Sequence, residues 1–338
     1  MTSGLRPVEG SPREVFALVD AWVREGGAPI VVRTSGSTGE PKDVVLSHRA
    51  VLASARASLD RLGGPGGWLQ AMPVTGVGGL QVLVRSAVAG LEPVYADEYA
   101  SLGAAVAAIP GQRRYASLVP TQAHRLVESG EVGVLAGLDA VLIGGAAVPS
   151  DLLETLRSAG ARVVRTYGMS ETCGGCVYDG LPLDGVRVRV DEAGQVHLAG
   201  PVLFDGYADA EATARVLRDG WFATADLGSI DEDGRLHITG RIDDVVISGG
   251  VNVPTPAVAA RLREHPAVSA AEVVGVPDDE WGHRVVAFVV GRLDLETARA
   301  WVAERHPRSW APRDVVVLDA LPLLGNGKVD RMHLKELA

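Results

Sequence analysis

The sequence contains 338 residues, of which 47% are hydrophobic and 22% are charged. This composition supports a folded core, argues against a disordered chain, and at this length suggests about two domains. Lys and Arg total 32 and Asp and Glu total 42, so the net charge is −10. Such a charge disfavours a nucleic-acid surface and adhesion to anionic membranes.

No apolar run reaches the ~18 residues that a membrane helix requires, and the first residues show no secretory signal. The only cysteines are Cys173 and Cys176, a number that argues against a disulfide framework. We therefore expect a cytoplasmic protein that handles small molecules.

Strand-like and helix-like segments alternate from residue 30 to residue 166. The predicted strands are 30–33, 68–72, 92–95, 115–119, 140–143 and 162–166, and the predicted helices are 47–62, 79–89, 121–129 and 151–159. Strands that alternate with helices in this way predict βαβ units and a largely parallel sheet.

The pattern changes after residue 178. Short strands at 186–190, 195–198 and 235–239, separated by turn signals, predict a small antiparallel β-subdomain. From residue 244 onward, strands (244–248, 269–276, 284–290, 314–318) mix with helices (256–264, 294–305, 329–337). We predict an α/β fold with a large N-terminal domain over 1–242, made of mixed, mostly parallel sheets and the β-subdomain, and a small α+β domain over 243–338.

Residues 34–42, Thr-Ser-Gly-Ser-Thr-Gly-Glu-Pro-Lys, alternate hydroxyls with glycines after a predicted strand and before a predicted helix. Backbone N–H and side-chain O–H groups can then point into one concavity, as a polyphosphate requires. The motif is not a Walker P-loop, because the Gly-Lys-Ser/Thr ending is absent. The candidate phosphate ligands are Thr34, Ser35, Gly36, Ser37, Thr38, Gly39 and Lys42.

A second motif, Arg-Thr-Tyr-Gly-Met-Ser-Glu-Thr at 165–172, begins at the end of a predicted strand. Open α/β sheets bind ligands at such edges. Tyr167 can stack on a flat ring, the Glu171 carboxylate suits Mg²⁺, and the Thr172 hydroxyl can contact a phosphate. A satisfied surface loop is the alternative for this motif taken alone.

Three further side chains are less specific. The Asp226 carboxylate can accept two ribose hydroxyls, and Arg241 can reach a ribose or a phosphate. Lys328 follows Gly327 in a predicted loop, from which it can enter a site made by another domain. Taken alone, Asp226 also fits a cap or a solvated charge, and Lys328 an exposed lysine in a turn.

The Cys-Gly-Gly-Cys stretch at 173–176 is a weak zinc or redox signal, because no second ligand pair accompanies it. The eight histidines show no paired spacing either. Small residues that line a pocket are the preferred interpretation.

Together and in this order, the motifs resemble those of the adenylate-forming superfamily, which includes acyl-CoA synthetases, peptide-synthetase adenylation domains and luciferases. The similarity covers about residues 30–335. Within that superfamily, the stretches 167–186 and 79–86 resemble the family of o-succinylbenzoate–CoA ligases of menaquinone biosynthesis, in a short form associated with actinobacteria. The resemblance implies an AMP-forming acid–thiol ligase that uses ATP, CoA and Mg²⁺.

The resemblance also implies roles for individual residues. Lys328, Glu171 and Thr172 would act in catalysis, with Glu171 holding Mg²⁺. Adenine would lie against Gly144, Gly145, Ala146, Tyr167 and Gly168, the ribose against Asp226 and Arg241, the acid against Thr75, Gly78, Gly145 and Gly168, and CoA against Gly249 and Gly250. The C-terminal domain would be mobile about a hinge at Asp243.

The sequence leaves the identity of the acid open. A ligase or adenylation enzyme for another acyl or aryl acid is an alternative, and a non-catalytic nucleotide-binding protein is a third that the motifs argue against. The second carboxylate of o-succinylbenzoate needs donors, for which Thr75 and backbone N–H groups are candidates. Arg85 is a candidate cation, although its position two turns into a predicted helix also fits solvent exposure. The expected partners are small molecules, with no nucleic acid or membrane, and a homodimer stays open.

Overall fold

The computed structural model describes residues 5–34, 41–323 and 329–338. The chain divides into two compact units. Unit 1 comprises Met1–Thr224 and Ser229–His237, and unit 2 comprises Ala225–Gly228 and Ile238–Ala338. The boundary predicted between residues 242 and 243 falls in a short 3-10 turn, Ile242–Asp244.

Unit 1 contains most of the helices and strands. Its helices are α1 (Pro12–Glu25), α2 (His48–Arg61), α3 (Val77–Ala89), α4 (Leu102–Ala108), α5 (Pro120–Glu128), α6 (Ser150–Ser158) and α7 (Ala210–Val216). Its strands are β1 (Ile30–Thr34), β2 (Lys42–Leu46), β3 (Gly67–Gln70), β4 (Val94–Tyr95), β5 (Arg114–Leu118), β6 (Ala140–Gly144), β7 (Val163–Met169), β8 (Gly174–Tyr178), β9 (Leu181–Pro182), β10 (Arg187–Val190), β11 (Gln195–Ala199), β12 (Gly206–Tyr207), β13 (Leu217–Arg218) and β14 (Trp221–Ile230, which also supplies residues of unit 2).

The main sheet has the order β4-β3-β5-β6-β7-β8-β9. The strands from β4 to β7 run parallel, whereas β8 and β9 are antiparallel. Strands β3, β5 and β6 are buried almost throughout, as parallel strands covered on both faces are. The predicted mixed α/β class is confirmed. Because β6 and β7 are neighbouring parallel strands, their carboxyl ends lie at the same edge of the sheet.

The other sheets of unit 1 contain antiparallel pairs, namely β1 with β2, β2 with β12, β10 with β11 and β13 with β14. One has the order β1-β2-β12, and the other has the order β10-β11-β14-β13, with β15 (Leu236–Arg241) paired to β14. The motif at residues 34–42 precedes a helix as predicted, but the sequence indicated no strand between them, where β2 forms from Lys42 to Leu46. Val44 and Leu46 are buried while their neighbours are half-buried, so the side chains alternate with the period of a strand.

Helix α2 begins only at His48, where the predicted N-cap Ser47 accepts a hydrogen bond from the N–H of Ala50. Three helices form where the sequence reading assigned none, namely α1, α4 and α7. Helix α1 carries a capping box, in which Ser11 and Glu14 bond reciprocally to each other's backbone N–H.

Unit 2 continues from β15 through the strands β16 (Val245–Ser248), β17 (Val251–Pro254), β18 (Val268–Asp278), β19 (Gly282–Gly291) and β20 (Asp314–Leu318), with the helices α8 (Thr255–Arg263), α9 (Leu295–Ala303) and α10 (Arg331–Glu336). Strands β18, β19 and β20 form one sheet, and β16 pairs with β17 as a hairpin. Arg331 ties α10 to this unit through ion pairs with Asp244 and Glu272.

Candidate active site

The ends of the predicted phosphate loop meet across the β1–β2 hairpin. Thr34 pairs with Lys42, and the Thr34 hydroxyl donates to the Lys42 carbonyl at 3.3 Å. Residues 35–39 of the motif lie outside the described part of the chain. The hairpin therefore holds both ends of the motif at one edge of the sheet.

Tyr207 connects Lys42 to Glu171, two residues that the sequence assigned to separate motifs. The Lys42 ammonium lies 5.2 Å from the centroid of the Tyr207 ring, and the Tyr207 hydroxyl donates to Glu171 Oε1 at 2.7 Å. Sequence reasoning did not single out Tyr207, because it lies on a two-residue strand that its local pattern does not reveal. Its pairing with β2 brings it to the site.

Burial, and then the nearby Glu171 carboxylate, raise the pKa of Tyr207 above its usual range. The phenol therefore keeps its proton and remains a donor to Glu171 near neutral pH. Among the described residues, Glu171 Oε2 has no hydrogen-bond partner. An anchored carboxylate with one available hard oxygen fits a Mg²⁺ ligand.

Thr172 occupies a different environment from the one its proposed phosphate contact requires. It is fully buried, and its hydroxyl bonds to the backbone of Met169 and Gly174 at 2.7–3.1 Å. These bonds hold the 3-10 turn Ser170–Thr172 that carries Glu171. In this turn, the hydroxyl that retains partial exposure is that of Ser170.

The predicted adenine-binding residues lie on the adjacent ends of β6 and β7. Gly144 pairs with Thr166, and a Cβ on Gly144 would lie 2.1 Å from the Thr166 hydroxyl oxygen. A Cβ on Gly168 would lie 2.1 Å from the Gly174 carbonyl oxygen. Gly145, at φ +82°, and Ala146 are exposed beyond β6. With Tyr167 on β7, these residues form an open edge where the backbone is accessible.

Asp226 and Arg241 lie together in unit 2. Arg241 Nη1 bonds to Asp226 Oδ1 at 2.7 Å, with the Asp226 side chain 8% and the Arg241 side chain 37% exposed. The interpretation of Asp226 as a solvated charge is therefore wrong, because the carboxylate is buried in strand β14. The guanidinium balances its charge and orients it.

Unit 2 also carries the predicted CoA and hinge residues. Gly249 and Gly250 form the turn of the β16–β17 hairpin at φ +57° and +77°, and a Cβ on Gly249 would lie 2.7 Å from the Trp281 ring. The backbone of Asp243 belongs to the 3-10 turn before β16. Lys328 lies outside the described residues.

The residues predicted to contact the acid lie at the start of helix α3. Thr75 is exposed, and the N-cap Gly76 makes no side-chain cap, so the first N–H groups of the helix remain available as donors. A Cβ on Gly79 would lie 2.2 Å from the Pro73 carbonyl oxygen. A Cβ on Gly78 would meet only the flexible end of Met72.

Arg85, two turns further along α3, is buried and only 4% exposed. Its guanidinium carbon lies 4.6 Å from the centroid of the Trp68 ring, and Nη1 reaches the Ser117 hydroxyl at 3.4 Å. Nε has no hydrogen-bond partner among the described residues, and no carboxylate there lies within 4.0 Å of the guanidinium. Burial lowers the pKa of Arg85.

The interpretation of Arg85 as solvent-exposed is therefore wrong. Helix α3 is apolar on nearly every face and packs against α1, α2, β3 and β5. A position two turns into such a helix is enclosed on all sides. The structure thus holds a buried cation without an anionic partner among the described residues.

Cys173 and Cys176 are buried free thiols. Burial raises the pKa of Cys176 to about 12 and that of Cys173 further. A thiol with such a pKa is a poor nucleophile near neutral pH. Both side chains pack within the apolar cores of unit 1.

The chain belongs to the family of AMP-binding enzymes. The model of that family matches residues 28–208, and the model of the AMP-binding enzyme C-terminal domain matches residues 257–328. These two matches contain the phosphate-loop motif, the β7 edge and Lys328.

Three named proteins are similar to this chain over most of its length. A probable 2-succinylbenzoate–CoA ligase of Mycobacterium tuberculosis is 46% identical over 90% of this chain and 83% of that protein. The o-succinylbenzoate CoA synthetase of Bacillus subtilis, solved with the acyl-adenylate intermediate OSB-AMP, is 28% identical with a TM-score of 0.77 over 90% of this chain and 68% of that one. ATP-bound MatB from Rhodopseudomonas palustris is 27% identical with a TM-score of 0.79 over 91% of this chain and 67% of that one. No helix of the described residues is long and apolar enough to cross a membrane.

Proposed function

We propose that this chain is an AMP-forming ligase that joins o-succinylbenzoate to CoA. In the first step, a carboxylate oxygen attacks the α-phosphorus of ATP, and pyrophosphate leaves. In the second step, the CoA thiol attacks the acyl carbon, and AMP leaves. Family membership and the names of the similar ligases support the reaction, and the buried Arg85 supports this choice of acid.

At the phosphate end, the loop of residues 34–42 would hold the β- and γ-phosphates through its backbone N–H groups and hydroxyls. Lys42 and Glu171 have opposite charges beside the same Tyr207 ring. Mg²⁺ would offset phosphate charge when bound to Glu171. Ser170, whose hydroxyl retains partial exposure, is the better candidate for a phosphate contact, and Thr172 positions the turn.

At the nucleoside end, the open edge formed by Gly144, Gly145, Ala146 and Tyr167 would accept adenine. Asp226, held by Arg241, would accept the ribose hydroxyls. Two hydrogen bonds to one buried carboxylate would give the enzyme a strong preference for a ribonucleotide.

Lys328 would bind the α-phosphate and the reacting carboxylate, where negative charge develops during adenylation. The CoA thiol must later approach the same acyl carbon. We propose that rotation of the C-terminal domain about Asp243 removes Lys328 and presents Gly249 and Gly250 to the pantetheine. This exchange would let one chain catalyse both steps in turn.

The observation that carries the choice of acid is the buried Arg85 guanidinium, which has no carboxylate within 4.0 Å in the described part of the chain. An isolated buried charge is costly unless a partner compensates it. o-Succinylbenzoate has two carboxylates, and adenylation consumes only one of them. We propose that the ring carboxylate pairs with Arg85, while the N–H groups at the start of α3 and the Thr75 hydroxyl bind the acid nearby.

The test compares kcat/KM for o-succinylbenzoate and for the analogue without the ring carboxylate, in wild-type protein and in Arg85→Met. The wild type should prefer o-succinylbenzoate by more than tenfold, roughly 1.4 kcal/mol, and Arg85→Met should lose most of this preference. The rate with the analogue should change little, because it never used the guanidinium.

Arg85→Lys serves as a control that keeps the charge and should retain part of the preference. If Arg85→Met slows both acids equally, then Arg85 supports only the fold. If the wild type fails to distinguish the two acids, another acid is the substrate.

A further inference from the structure

A second group of basic side chains lies away from the residues discussed so far, on the five-stranded sheet of unit 1. Its members are Arg187, Arg189, Arg215, Arg218 and Trp221, which we call the arginine–tryptophan site. A cavity of about 220 Å³ is lined by Arg189, His197, Arg215, Val216, Arg218, Trp221 and Ala223.

The side-chain alternation along β14 places this site on the outer face of the sheet. Trp221 and Ala223 are half-buried, whereas Phe222 and Thr224 between and after them are buried. Successive side chains of a strand point to opposite faces. Trp221 and Ala223 therefore point away from the face of β14 that carries the buried Phe222 and Thr224.

Two guanidinium groups lie against the same indole. The Arg189 guanidinium carbon is 4.4 Å and that of Arg187 is 5.1 Å from the centroid of the Trp221 ring. Stacking of this kind fixes the plane of a guanidinium and leaves its N–H groups available at the edge. Neither group has a carboxylate within 4.0 Å in the described part of the chain.

The remaining arginines are only weakly engaged. Arg218 Nε donates to the Ala214 carbonyl at 3.1 Å, and no described carboxylate lies within 4.0 Å of this guanidinium. Arg215 lies 3.9 Å from the exposed Asp209 carboxylate, a distance at which an exposed pair contributes little. Four guanidinium groups thus retain donors for a ligand.

A carboxylate that contacts the cavity lining, that of Asp191, is already engaged by other groups. Asp191 bonds to His197 Nε2 at 2.9 Å and accepts the N–H groups of Ala193 and Gln195. These hydrogen bonds, led by that of His197, lower the pKa of Asp191. The Asp191 carboxylate therefore bonds to His197 and to the turn, and not to the arginines of the site.

We propose that the arginine–tryptophan site binds a compact phosphate-bearing anion, such as a diphosphate group. Planar guanidinium forks match phosphate oxygens in pairs, and a cavity of about 220 Å³ suits a small anion. A polynucleotide is disfavoured by the net charge of −10. The proposal does not depend on the proposed function, because it uses none of the residues assigned to ATP, the acid or CoA.

The test is titration calorimetry with inorganic pyrophosphate in a phosphate-free buffer, with a nonhydrolysable ATP analogue present at saturation. The wild type should bind one equivalent of pyrophosphate, with an affinity that falls as salt rises. Arg189→Gln combined with Arg218→Gln should weaken binding at least tenfold, and Arg218→Lys should weaken it less. CoA and 3′-dephospho-CoA form separate arms, which test whether the 3′-phosphate of CoA is the source of the phosphate group.

The matched control removes the same charge elsewhere, with Arg125→Gln and Arg157→Gln on α5 and α6. This control should bind pyrophosphate like the wild type, and the adenylation rates of all variants should agree. Equal weakening in both double variants would mean that only the net charge matters and would overturn the proposal. Absence of pyrophosphate binding to the wild type would also overturn the proposal. Failure of the ATP analogue to bind would count against the proposed function alone.

Discussion

Glu171 and Arg85 are both charged side chains beside aromatic rings in unit 1, but their surroundings differ. Glu171 is half-buried, and the Tyr207 hydroxyl bonds to one of its oxygens at 2.7 Å. Arg85 is almost fully buried, stacks on Trp68, and has only a 3.4 Å contact with the Ser117 hydroxyl. A neighbouring side chain thus orients the carboxylate, whereas the guanidinium has no carboxylate within 4.0 Å among the described residues.

These two side chains illustrate two ways of building a binding site: one charged group is held by a neighbour, and the other is buried without an opposite charge among the described residues. At the proposed phosphate end, neighbouring side chains fix a charged group. At the proposed acid end, a guanidinium with no carboxylate within reach among the described residues would raise the free energy of the empty site, so that a ligand with the right charge would gain affinity when it binds. Selectivity for the acid would then depend on one buried side chain.

The largest expected effect is that of replacing the proposed catalytic lysine. We expect Lys328→Ala to slow adenylation by roughly 10²–10³-fold, or about 3–4 kcal/mol, because a charge is lost where phosphoryl charge develops. Thioester formation from preformed acyl-adenylate should proceed almost unchanged, and rapid-quench measurement of each half-reaction separates the two. Equal losses in both half-reactions would reject the assignment of Lys328.

Asp226→Ala is expected to raise the KM for ATP by roughly 10–100-fold, because at least one charge-assisted hydrogen bond to the ribose, which contributes about 1.5–3 kcal/mol, is lost. Steady-state pyrophosphate release as a function of ATP concentration measures this change. Asp226→Asn keeps the shape of the side chain and one acceptor, so its KM for ATP should lie between those of the wild type and of Asp226→Ala. A KM within about twofold of wild type would make Asp226 a purely structural partner of Arg241.

Tyr207→Phe tests whether orientation of Glu171 matters. Loss of one hydrogen bond to a carboxylate costs about 1.5–3 kcal/mol, so we expect kcat to fall roughly tenfold and the Mg²⁺ concentration at half-maximal rate to rise. Tyr99→Phe removes a hydroxyl from an exposed tyrosine and should change neither quantity. A fall in kcat without any change in the Mg²⁺ requirement would mean that Tyr207 does not act through Glu171.

The smallest effect concerns stability at the acid end. Arg85→Met should raise the free energy of unfolding by about 1 kcal/mol while it removes selectivity, because an apolar side chain replaces an uncompensated charge. Urea unfolding followed by circular dichroism measures the change.

Arg261→Met is the contrasting control. Arg261 is equally buried but pairs with Glu264 at 2.8 Å and Glu304 at 2.6 Å, so its replacement should lower the free energy of unfolding. If Arg85→Met instead destabilises the protein as much as Arg261→Met does, then the Arg85 charge is already compensated without a ligand.

The sequence predicted the parallel strands well, because β3, β5 and β6 are short buried runs and each is followed by a predicted helix. It did not predict β2, whose polar start at Lys42 resembles the end of a loop. Tyr207 was missed for a related reason, since its two-residue strand exists only through pairing with β2. The environment of Arg85 could not be predicted from its position in α3, because burial there depends on which elements cover the helix.

The glycines of the site also define how its substrate range can be altered by design. Alanine at residue 144 or 168 would drive a methyl group into backbone or side-chain atoms of the neighbouring strand, at 2.1 Å, and would force β6, β7 and β8 apart. Alanine at residue 78 would meet only the terminal methyl of Met72 at 3.1 Å, which can rotate away. A library that seeks new acids should therefore leave Gly79, Gly144 and Gly168 intact and vary residue 78, where a new side chain would meet only the flexible end of Met72.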